Sequence, residues 1–508
     1  MKTIKQLAEA IPAYLEPTVI GDENTLLQSL AYDSRQVFSG AGFVCLKGEK
    51  TDGHGYRDQA AARGGAAFII DSNRVSDFAG VNAPLLTVTN TRSALPFFSA
   101  AFYDYPTRSF ELTGITGTNG KTTTAFMISA IWMANGETTG VVGTVGALVN
   151  GEEFPTNWTV STTPESLDLQ QFFSQMRSEA VEHAIIEVTS IAIDQERTAS
   201  NEFDTAVFTN LTQDHLDYHG TMEAYEAAKA RLFVEYPSTT TKRFLAVLNA
   251  DDPAGERLAM TSEHLGRRTV RYGIAVPSAD FRAVNITAKA DGTAFTVKEL
   301  SGAVYQVDLP IGGLFNVSNA LAAIAATRSR GVSIETVQHG LAKLPPVPGR
   351  FEPVNAPGKD FHVLVDYAHT PDGLENVLVS ARALAPKRLV VVFGCGGNRD
   401  RTKRPKMGKI AADLADLVII TSDNPRNEDP EFIVSEIVAG IEGGAADDRI
   451  KVIVDRREAI RTAVCETVRP GDLIVIAGKG HETYQIVKGE TFPFDDRVVA
   501  AEAIASCS

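Results

Sequence analysis

The sequence predicts an α/β protein of three domains, and three observations carry that expectation. A chain of 508 residues exceeds what one hydrophobic core ordinarily serves, which points to about three domains. From residue 110 a strand-like run, FELTGIT, meets a glycine-rich turn and then a helical stretch, TTTAFMISAIWMA, the opening of an α/β unit. In the last third, FHVLVDY, RLVVVFG, LVIITSD, KVIVD and LIVIAG alternate with helical segments, the pattern of a doubly wound parallel sheet.

The elements divide at two points. The N-terminus, MKTIKQLAEAIPAYL, spaces Ile4, Leu7 and Ile11 at helical intervals, lacks the unbroken apolar stretch of a signal peptide, and opens a module expected over residues 1–108. In the middle third, HAIIEV, TAVFTNL and FLAVLN read as buried strands separated by helical segments such as SLDLQQFFSQM and MEAYEAAKARLF. A mainly parallel sheet is therefore expected within 109–346. Over residues 281–309 the pattern changes to alternation, in TAFTVKEL and AVYQVDL, with turn signals at Asp291-Gly292 and Ser301-Gly302. That predicts antiparallel hairpins flanking the central sheet. LPPVPGR then sets three prolines within five residues, which blocks helix and marks the second boundary. Residues 347–508 form the third, Rossmann-like domain, in which the polar clusters 366–369, 394–400, 423–426 and 478–482 each follow a strand directly. They are expected to share the rim at the strands' carboxyl ends, where such sheets bind ligands.

Composition excludes several function classes. At 44% hydrophobic and 22% charged the chain is near the soluble globular average. A net charge of -15 argues against a nucleic-acid partner, so any anionic ligand must be held locally. Cys45, Cys395, Cys465 and Cys507 are far apart and form no C-x-x-C pair, so neither a disulfide framework nor a zinc ribbon is expected, and a reducing compartment fits. No apolar run approaches the roughly 20 residues needed to cross a bilayer. A cytoplasmic monomer acting on small molecules is expected.

The turn TGITGTNGKTTT, residues 113–124, lies between strand and helix, so backbone N–H groups and the helix N-terminus can converge on phosphate oxygens. Lys121 would neutralise the β and γ phosphates and Thr122 would place its hydroxyl on Mg²⁺. The strict P-loop spacing is not met, because Ile115 stands where the first glycine belongs and Gly114 lies one residue too early. The alternative is a glycine-rich turn with no ligand, which GKT in this context disfavours.

GTNGKT resembles the signature of the Mur ligases and their relatives, the folylpolyglutamate synthetases. NLTQDHLDYH (210–219), LFNVSNALAA (314–323), PGRFE (348–352), DYAHTPD (366–372), GCGGNRD (394–400), DNPR (423–426) and GKGHE (478–482) follow in the family's order. The resemblance covers roughly residues 30–500. It implies a UDP-binding domain, a central ATPase and a C-terminal Rossmann-like domain. It further implies an ATP- and Mg²⁺-dependent ligase that adds meso-diaminopimelate to the side-chain carboxylate of the D-glutamate in UDP-N-acetylmuramoyl-L-alanyl-D-glutamate, through an acyl phosphate, in peptidoglycan precursor synthesis.

Attack of a carboxylate on the γ-phosphorus brings two anions together, which requires cations between them. Beside Lys121 and Thr122, the resemblance offers Glu187, at the end of HAIIEV, and His215 as metal ligands; Glu187 could instead serve a structural ion pair. His215 and His219 stand four apart and could share a helical face, as in a zinc site, but the glutamate of H-E-x-x-H is missing, and a structural role for His219 stays open. Lys229, four residues after Tyr225 and three before Leu232, shares an apolar helix face. The matching lysine of Mur ligases is carbamylated, which would turn a costly buried cation into a carboxylate-like metal ligand; the alternative is a lysine snorkelling from the helix edge.

ATP contacts carried over from the resemblance are Gly117, Thr118, Asn119, Gly120, Lys121, Thr122, Asn316, Asn319, Arg350 and Asp366, with Arg350 at the inferred hinge. For the UDP-muramoyl-dipeptide they are Ser34 in YDSR, then Ser161, Thr162, Thr163, Thr189, Gln195 and Arg197; Ser161 and Thr189 stand where some family members have Asn and Ser. Arg197 could instead sit in a surface salt bridge. For diaminopimelate they are Arg399, Asp423, Asn424, Pro425, Arg426, Gly478 and Glu482, the opposite charges of Arg426 and Glu482 suiting a carboxylate and an ammonium on one stereocentre. The rivals are a lysine-adding or polyglutamylating sister ligase, which DNPR disfavours, and a nucleotide-driven switch, which would need no second substrate pocket.

Overall fold

The computed structural model describes residues 1–48, 51–156, 162–289 and 292–507. Its longer strands are short apolar runs gathered into three main sheets. The first, within residues 18–88, has four parallel strands, Ser29–Ala31, Ala41–Val44, Ala67–Asp71 and Leu85–Val88, with Thr18–Ile20 antiparallel at one edge. The predicted N-terminal helix is Ile4–Glu9, closed by a capping box between Thr3 and Gln6, and it buries Ile4 and Leu7.

The central sheet has eleven strands. Its parallel part runs, in spatial order, Thr139–Gly143, His183–Glu187, Glu111–Thr116, Thr205–Phe208, Leu245–Asn249 and Arg268–Gly273. These strands are almost wholly buried, which explains their unbroken apolar character. The expected antiparallel strands follow at one side: Phe281–Lys289, Gly292–Glu299 and Val304–Leu309, the last alternating exposed and buried residues. Asp291 lies outside the described residues. At the Val304–Leu309 edge, helix Ile334–Ala342 packs alongside and its Gln338 amide donates to the Gln306 carbonyl at 2.6 Å. The opposite edge is Glu152–Glu153, both exposed. Helix Lys121–Ala134 packs against helices Leu314–Arg328 and Ile334–Ala342, and Leu314–Arg328 is buried nearly all round, as a helix apolar on every face must be.

The third sheet contains the five expected parallel strands, Phe361–Asp366, Asp472–Ala477, Arg388–Phe393, Leu417–Ile420 and Ile450–Val452 in spatial order. A sixth, Glu352–Val354, is antiparallel at the edge, the one place where its Pro353 is tolerated. No helix among the described residues is long and apolar enough to cross a membrane. The cysteine expectation fails at one point: Cys465 and Cys507 are joined by a disulfide, with Cα atoms 5.4 Å apart across a sequence separation of 42, while Cys45 and Cys395 are free and buried. Packing of helix Asp496–Ser506 on residues 462–466 brings together sulfurs that sequence distance kept apart.

Beneath the rim lies a fully buried ion pair. Arg456 Nε and Nη2 donate to the two oxygens of Asp496 at 2.8 and 2.7 Å, and both side chains are wholly inaccessible. Arg456 also donates to the carbonyls of Ser422 and Ala477, so it ties the ends of two strands to the last helix. Removing one partner strands a buried charge, so Asp496→Ala is expected to cost about 3–5 kcal/mol, read as a fall in Tm. An unchanged Tm would show that the guanidinium is adequately held by carbonyls alone.

Candidate active site

The strand Glu111–Thr116 runs into the P-loop, where Gly117 (φ +150°) and Gly120 (φ +86°) adopt backbone that side chains rarely take. A Cβ on Gly117 would stand 1.9 Å from Thr209 Oγ1, and one on Gly120 2.3 Å from Asn319 Oδ1. Lys121 opens the helix and donates to the carbonyls of Gly117 (2.9 Å) and Thr118 (2.8 Å). Burial lowers its ammonium, while the nearby Glu187 and Asp214 act in the opposite sense. Arg350 Nη2 donates to Thr122 Oγ1 at 3.2 Å, and its guanidinium stacks 4.6 Å from the Tyr367 ring, so the hinge arginine reaches the P-loop helix.

Asn316 and Asn319 lie buried behind the loop, linked to each other at 3.0 Å, with Asn316 also donating to the Gly312 carbonyl. Asp366 is buried too, and its oxygens accept the Phe351 and Ala368 N–H groups at 2.7 and 2.8 Å, so its carboxylate shapes the hinge turn directly.

Glu187 is 1% exposed, and Thr144 donates to it twice, from N–H (2.9 Å) and from Oγ1 (3.0 Å). His215 does not share a helical face with His219: it is the cap of the short helix Leu216–His219, with φ +54°, and its Nε2 lies 3.4 Å from Asp214 Oδ2. His219 instead meets Ser190 Oγ at 3.0 Å. Lys229, on helix Met222–Val234, is 2% exposed, donates to the Gly117 carbonyl at 3.0 Å and lies 4.6 Å from the Tyr225 ring. Two lysines thus converge on one P-loop carbonyl. Burial, reinforced by the charge of Lys121, holds the Lys229 ammonium well below the ordinary lysine value.

No group of three or more His, Cys, Asp or Glu among the described residues could by itself hold a metal ion. Thr122 offers a hydroxyl, Glu187 a buried carboxylate and His215 an imidazole; Mg²⁺ usually takes one or two protein carboxylates and completes its shell with phosphates and water.

Beside Glu187, Thr163 Oγ1 donates to the Glu187 carbonyl (2.8 Å) and lies 3.2 Å from Thr189 Oγ1, while Thr162 Oγ1 lies 3.1 Å from Thr144 Oγ1. Thr189 caps helix Ser190–Asp194. Arg197 donates to the Thr163 carbonyl (2.8 Å) and to Gln195 Oε1 (2.7 Å), and lies 3.3 Å from Glu165. Glu165 also pairs with Arg92 of the first sheet's flanking helix, and Tyr32 donates to Asp168 nearby, so this cluster sits on the junction with the N-terminal part. Arg197 is therefore in an ion pair, but at a junction and not on an open surface. Ser34 is buried and donates to Gln59 at 2.7 Å. Ser161 lies outside the described residues.

At the rim of the third sheet, Asp423 Oδ1 accepts the Asn424 N–H, and its Oδ2 packs on Gly478, where a Cβ would approach to 2.6 Å. The Asn424 amide donates to Glu482 Oε2 at 2.8 Å, and its oxygen accepts from Ile486 N–H and from Lys479 Nζ. Lys479, with no exposed side-chain surface, also pairs with Glu482 Oε2 at 2.9 Å. Glu482 Oε1 makes no hydrogen bond with the described residues. Arg426, at φ +53°, donates through Nη1 to the Gly397 carbonyl, and the Pro425 carbonyl packs on Gly397. Arg399 is exposed beside them. Sequence reasoning passed over Thr144, Asp214 and Lys479. Asp214 and Lys479 stand inside quoted blocks, whereas Thr144 has no local signal and is found only through its contact with Glu187.

Three family models match in order: "Mur ligase family, catalytic domain" over residues 27–103, "Mur ligase middle domain" over 115–327 and "Mur ligase, glutamate ligase domain" over 349–480. The chain is 45% identical over 492 residues to the UDP-N-acetylmuramoyl-L-alanyl-D-glutamate--2,6-diaminopimelate ligase of Bacillus licheniformis, covering 96% of each. It is 44% identical to the protein of the same name in Syntrophomonas wolfei, covering 94% of each. A solved structure bearing that enzyme name superposes with a TM-score of 0.68 at 32% identity over 99% of both chains. With the domain models in order and likeness of this extent along the whole chain, the protein belongs to the Mur ligase family.

Proposed function

We propose that the chain is the ATP-dependent ligase that joins meso-2,6-diaminopimelate to the D-glutamate side-chain carboxylate of UDP-N-acetylmuramoyl-L-alanyl-D-glutamate, in peptidoglycan precursor synthesis. The observation that carries this reading is the rim cluster, where residues 423–426 and 478–482 fold together and bring a guanidinium and a carboxylate to one end of the third sheet, on a part of the chain that also touches the P-loop. The names of relatives at 44–45% identity support the same substrate pair. In this reading residues 1–108 hold the UDP moiety, 109–346 the nucleotide, and 347–508 the incoming amino acid.

The Gly117–Thr122 backbone and Lys121 hold the phosphates, Asn316, Asn319 and Asp366 border the nucleoside, and Arg350 brings charge from the hinge. Thr122, Glu187, His215 and Lys229 as its carbamate would hold Mg²⁺, which supplies neutralisation of the phosphate charge when bound. Thr162, Thr163, Thr189, Gln195 and Arg197, with Ser161, orient the muramoyl-dipeptide so that its D-glutamyl carboxylate faces the γ-phosphorus. Attack there forms the acyl phosphate and ADP. The amine of diaminopimelate, held by Arg399, residues 423–426, Gly478 and Glu482, then attacks the acyl carbon, loses a proton, and expels inorganic phosphate as the amide forms.

Phosphate release is expected to be fast only with ATP, Mg²⁺, the UDP-linked dipeptide and diaminopimelate all present. Rapid release from ATP and Mg²⁺ alone would favour a nucleotide switch, and equal release with lysine would favour the lysine-adding sister activity.

A further inference from the structure

Besides Thr122, which Arg350 reaches, the P-loop side chain of Asn119 is also bonded from the C-terminal third of the chain. The peptide of Asn119 is held within the central domain, its N–H donating to Asn210 Oδ1 (2.8 Å) and its carbonyl accepting from Thr209 Oγ1 (2.6 Å) and Asn210 Nδ2 (3.2 Å). Its side-chain amide instead donates at 2.6 Å to Asp372 Oδ2, which is 253 residues further along the chain. The same oxygen accepts from Thr212 Oγ1 at 2.9 Å and from Asn376, on its own helix, at 3.1 Å. Thr212 is tied back to the P-loop, its N–H donating to Thr118 Oγ1 at 3.0 Å. One half-buried carboxylate oxygen therefore gathers the P-loop, the loop that leads to Asp214 and His215, and the first turn of helix Pro371–Ala383.

A carboxylate this close to a phosphate-binding loop would repel a phosphate, so Asp372 is poorly suited to touch nucleotide. Its donors are all neutral, and two of them, Asn119 and Thr212, belong to the P-loop and to the loop bonded to it. We propose that Asp372 is a positioning residue: it latches the C-terminal domain onto Asn119 and Thr212, so that the P-loop is fixed in its gripping form only when the domain carrying the amine pocket is docked. This rests on the ATP-dependent ligase reading. Because coupling between two events is reciprocal, nucleotide favours docking by the same factor by which docking tightens nucleotide.

The full-length chain is tested as Asp372→Ala, Asp372→Asn, Thr212→Val and the Asp372→Ala/Thr212→Val double variant. Asp372→Ala is expected to raise the KM for ATP and lower kcat, by a product of about 5- to 150-fold, the usual range of such couplings. Asp372→Asn keeps an oxygen that accepts from Asn119 and Thr212, and is expected to stay within about 3-fold of the parent. The double variant is expected to be no worse than Asp372→Ala alone, since both changes cut the same latch. Fluorescence energy transfer between dyes on the central and C-terminal domains, with ADP and Mg²⁺ as probe, should rise on binding in the parent and in Asp372→Asn but not in Asp372→Ala. The latch is overturned if Asp372→Ala keeps the parent's ATP KM and transfer change, if the two single losses add in the double variant, or if Asp372→Asn is as impaired as Asp372→Ala. Should Asp372→Ala not fold, Thr212→Val must still weaken the transfer change. The transfer signal needs no ligation, so a chain that latches but never joins the substrates would defeat the ligase reading and leave the latch standing.

Discussion

Lys229→Ala is expected to lose about 10²–10³-fold of the ligation rate, the loss typical when one preorganised electrostatic group is removed from a reacting centre. Lys229 is buried beside Lys121, against a tyrosine ring, with its Nζ on a P-loop carbonyl. A cation there is disfavoured by desolvation and by its neighbour Lys121, and both effects favour the neutral amine, the form that reacts with CO₂, over the ammonium. In the proposed mechanism the resulting carbamate would add its oxygens to the donors of Thr122, Glu187 and His215. Added formate or acetate should therefore restore part of the activity of Lys229→Ala, by standing in the space the carbamate vacates. Parental activity in the variant, or a loss that no small carboxylate relieves, would refute the carbamate.

The second large effect concerns the choice of amino acid. Lysine and diaminopimelate differ by one carboxylate, and in the proposed site Arg426 would be the guanidinium that meets it. The Arg426 backbone is pinned on both sides, its N–H donating to the Ile486 carbonyl and its own carbonyl accepting from Lys488, and its Nη1 is held by the Gly397 carbonyl. A site preorganised for a charged group is left with an unpaired guanidinium when the group is missing, and such sites reject the defective analogue by about 10⁴-fold. Arg426→Ala should accordingly raise the KM for diaminopimelate by about 100-fold or more while leaving that for ATP nearly unchanged. Similar kcat/KM for lysine and diaminopimelate in the parent would sink this account. Glu482 Oε2 is already bonded to Asn424 and Lys479, so in the proposed site it is Oε1 that would meet the substrate ammonium.

Much of this molecule was legible in its sequence because burial leaves a local trace. The five parallel strands of the third sheet and the parallel strands of the central one are short apolar runs, and the P-loop announces itself through glycines in backbone that side chains rarely take. Lys229 was legible too, since a charged residue at the spacing of Tyr225 and Leu232 falls on a buried face. What sequence could not give was pairing across distance. The Cys465–Cys507 bond, the two hydrogen bonds that Thr144 donates to Glu187 and the Arg456–Asp496 pair depend on which elements pack together, and 40 residues separate the last two charges. His215 misled for a different reason: a helical spacing of four assumes helix, and the residue instead takes a left-handed cap, although its ring and that of His219 both pack on Tyr225.

The long central sheet has a consequence for how copies of the protein meet. A sheet of eleven strands still ends in two edges, and an open edge invites another chain to add a strand. Here one border is two consecutive exposed glutamates, which repel their own kind, and the other is covered by a helix whose Gln338 fills the Gln306 carbonyl. Backbone-to-backbone extension is discouraged at both borders, so crowding at high concentration must be resolved through side-chain surfaces, and the longest apolar array in the molecule stays out of fibrillar growth.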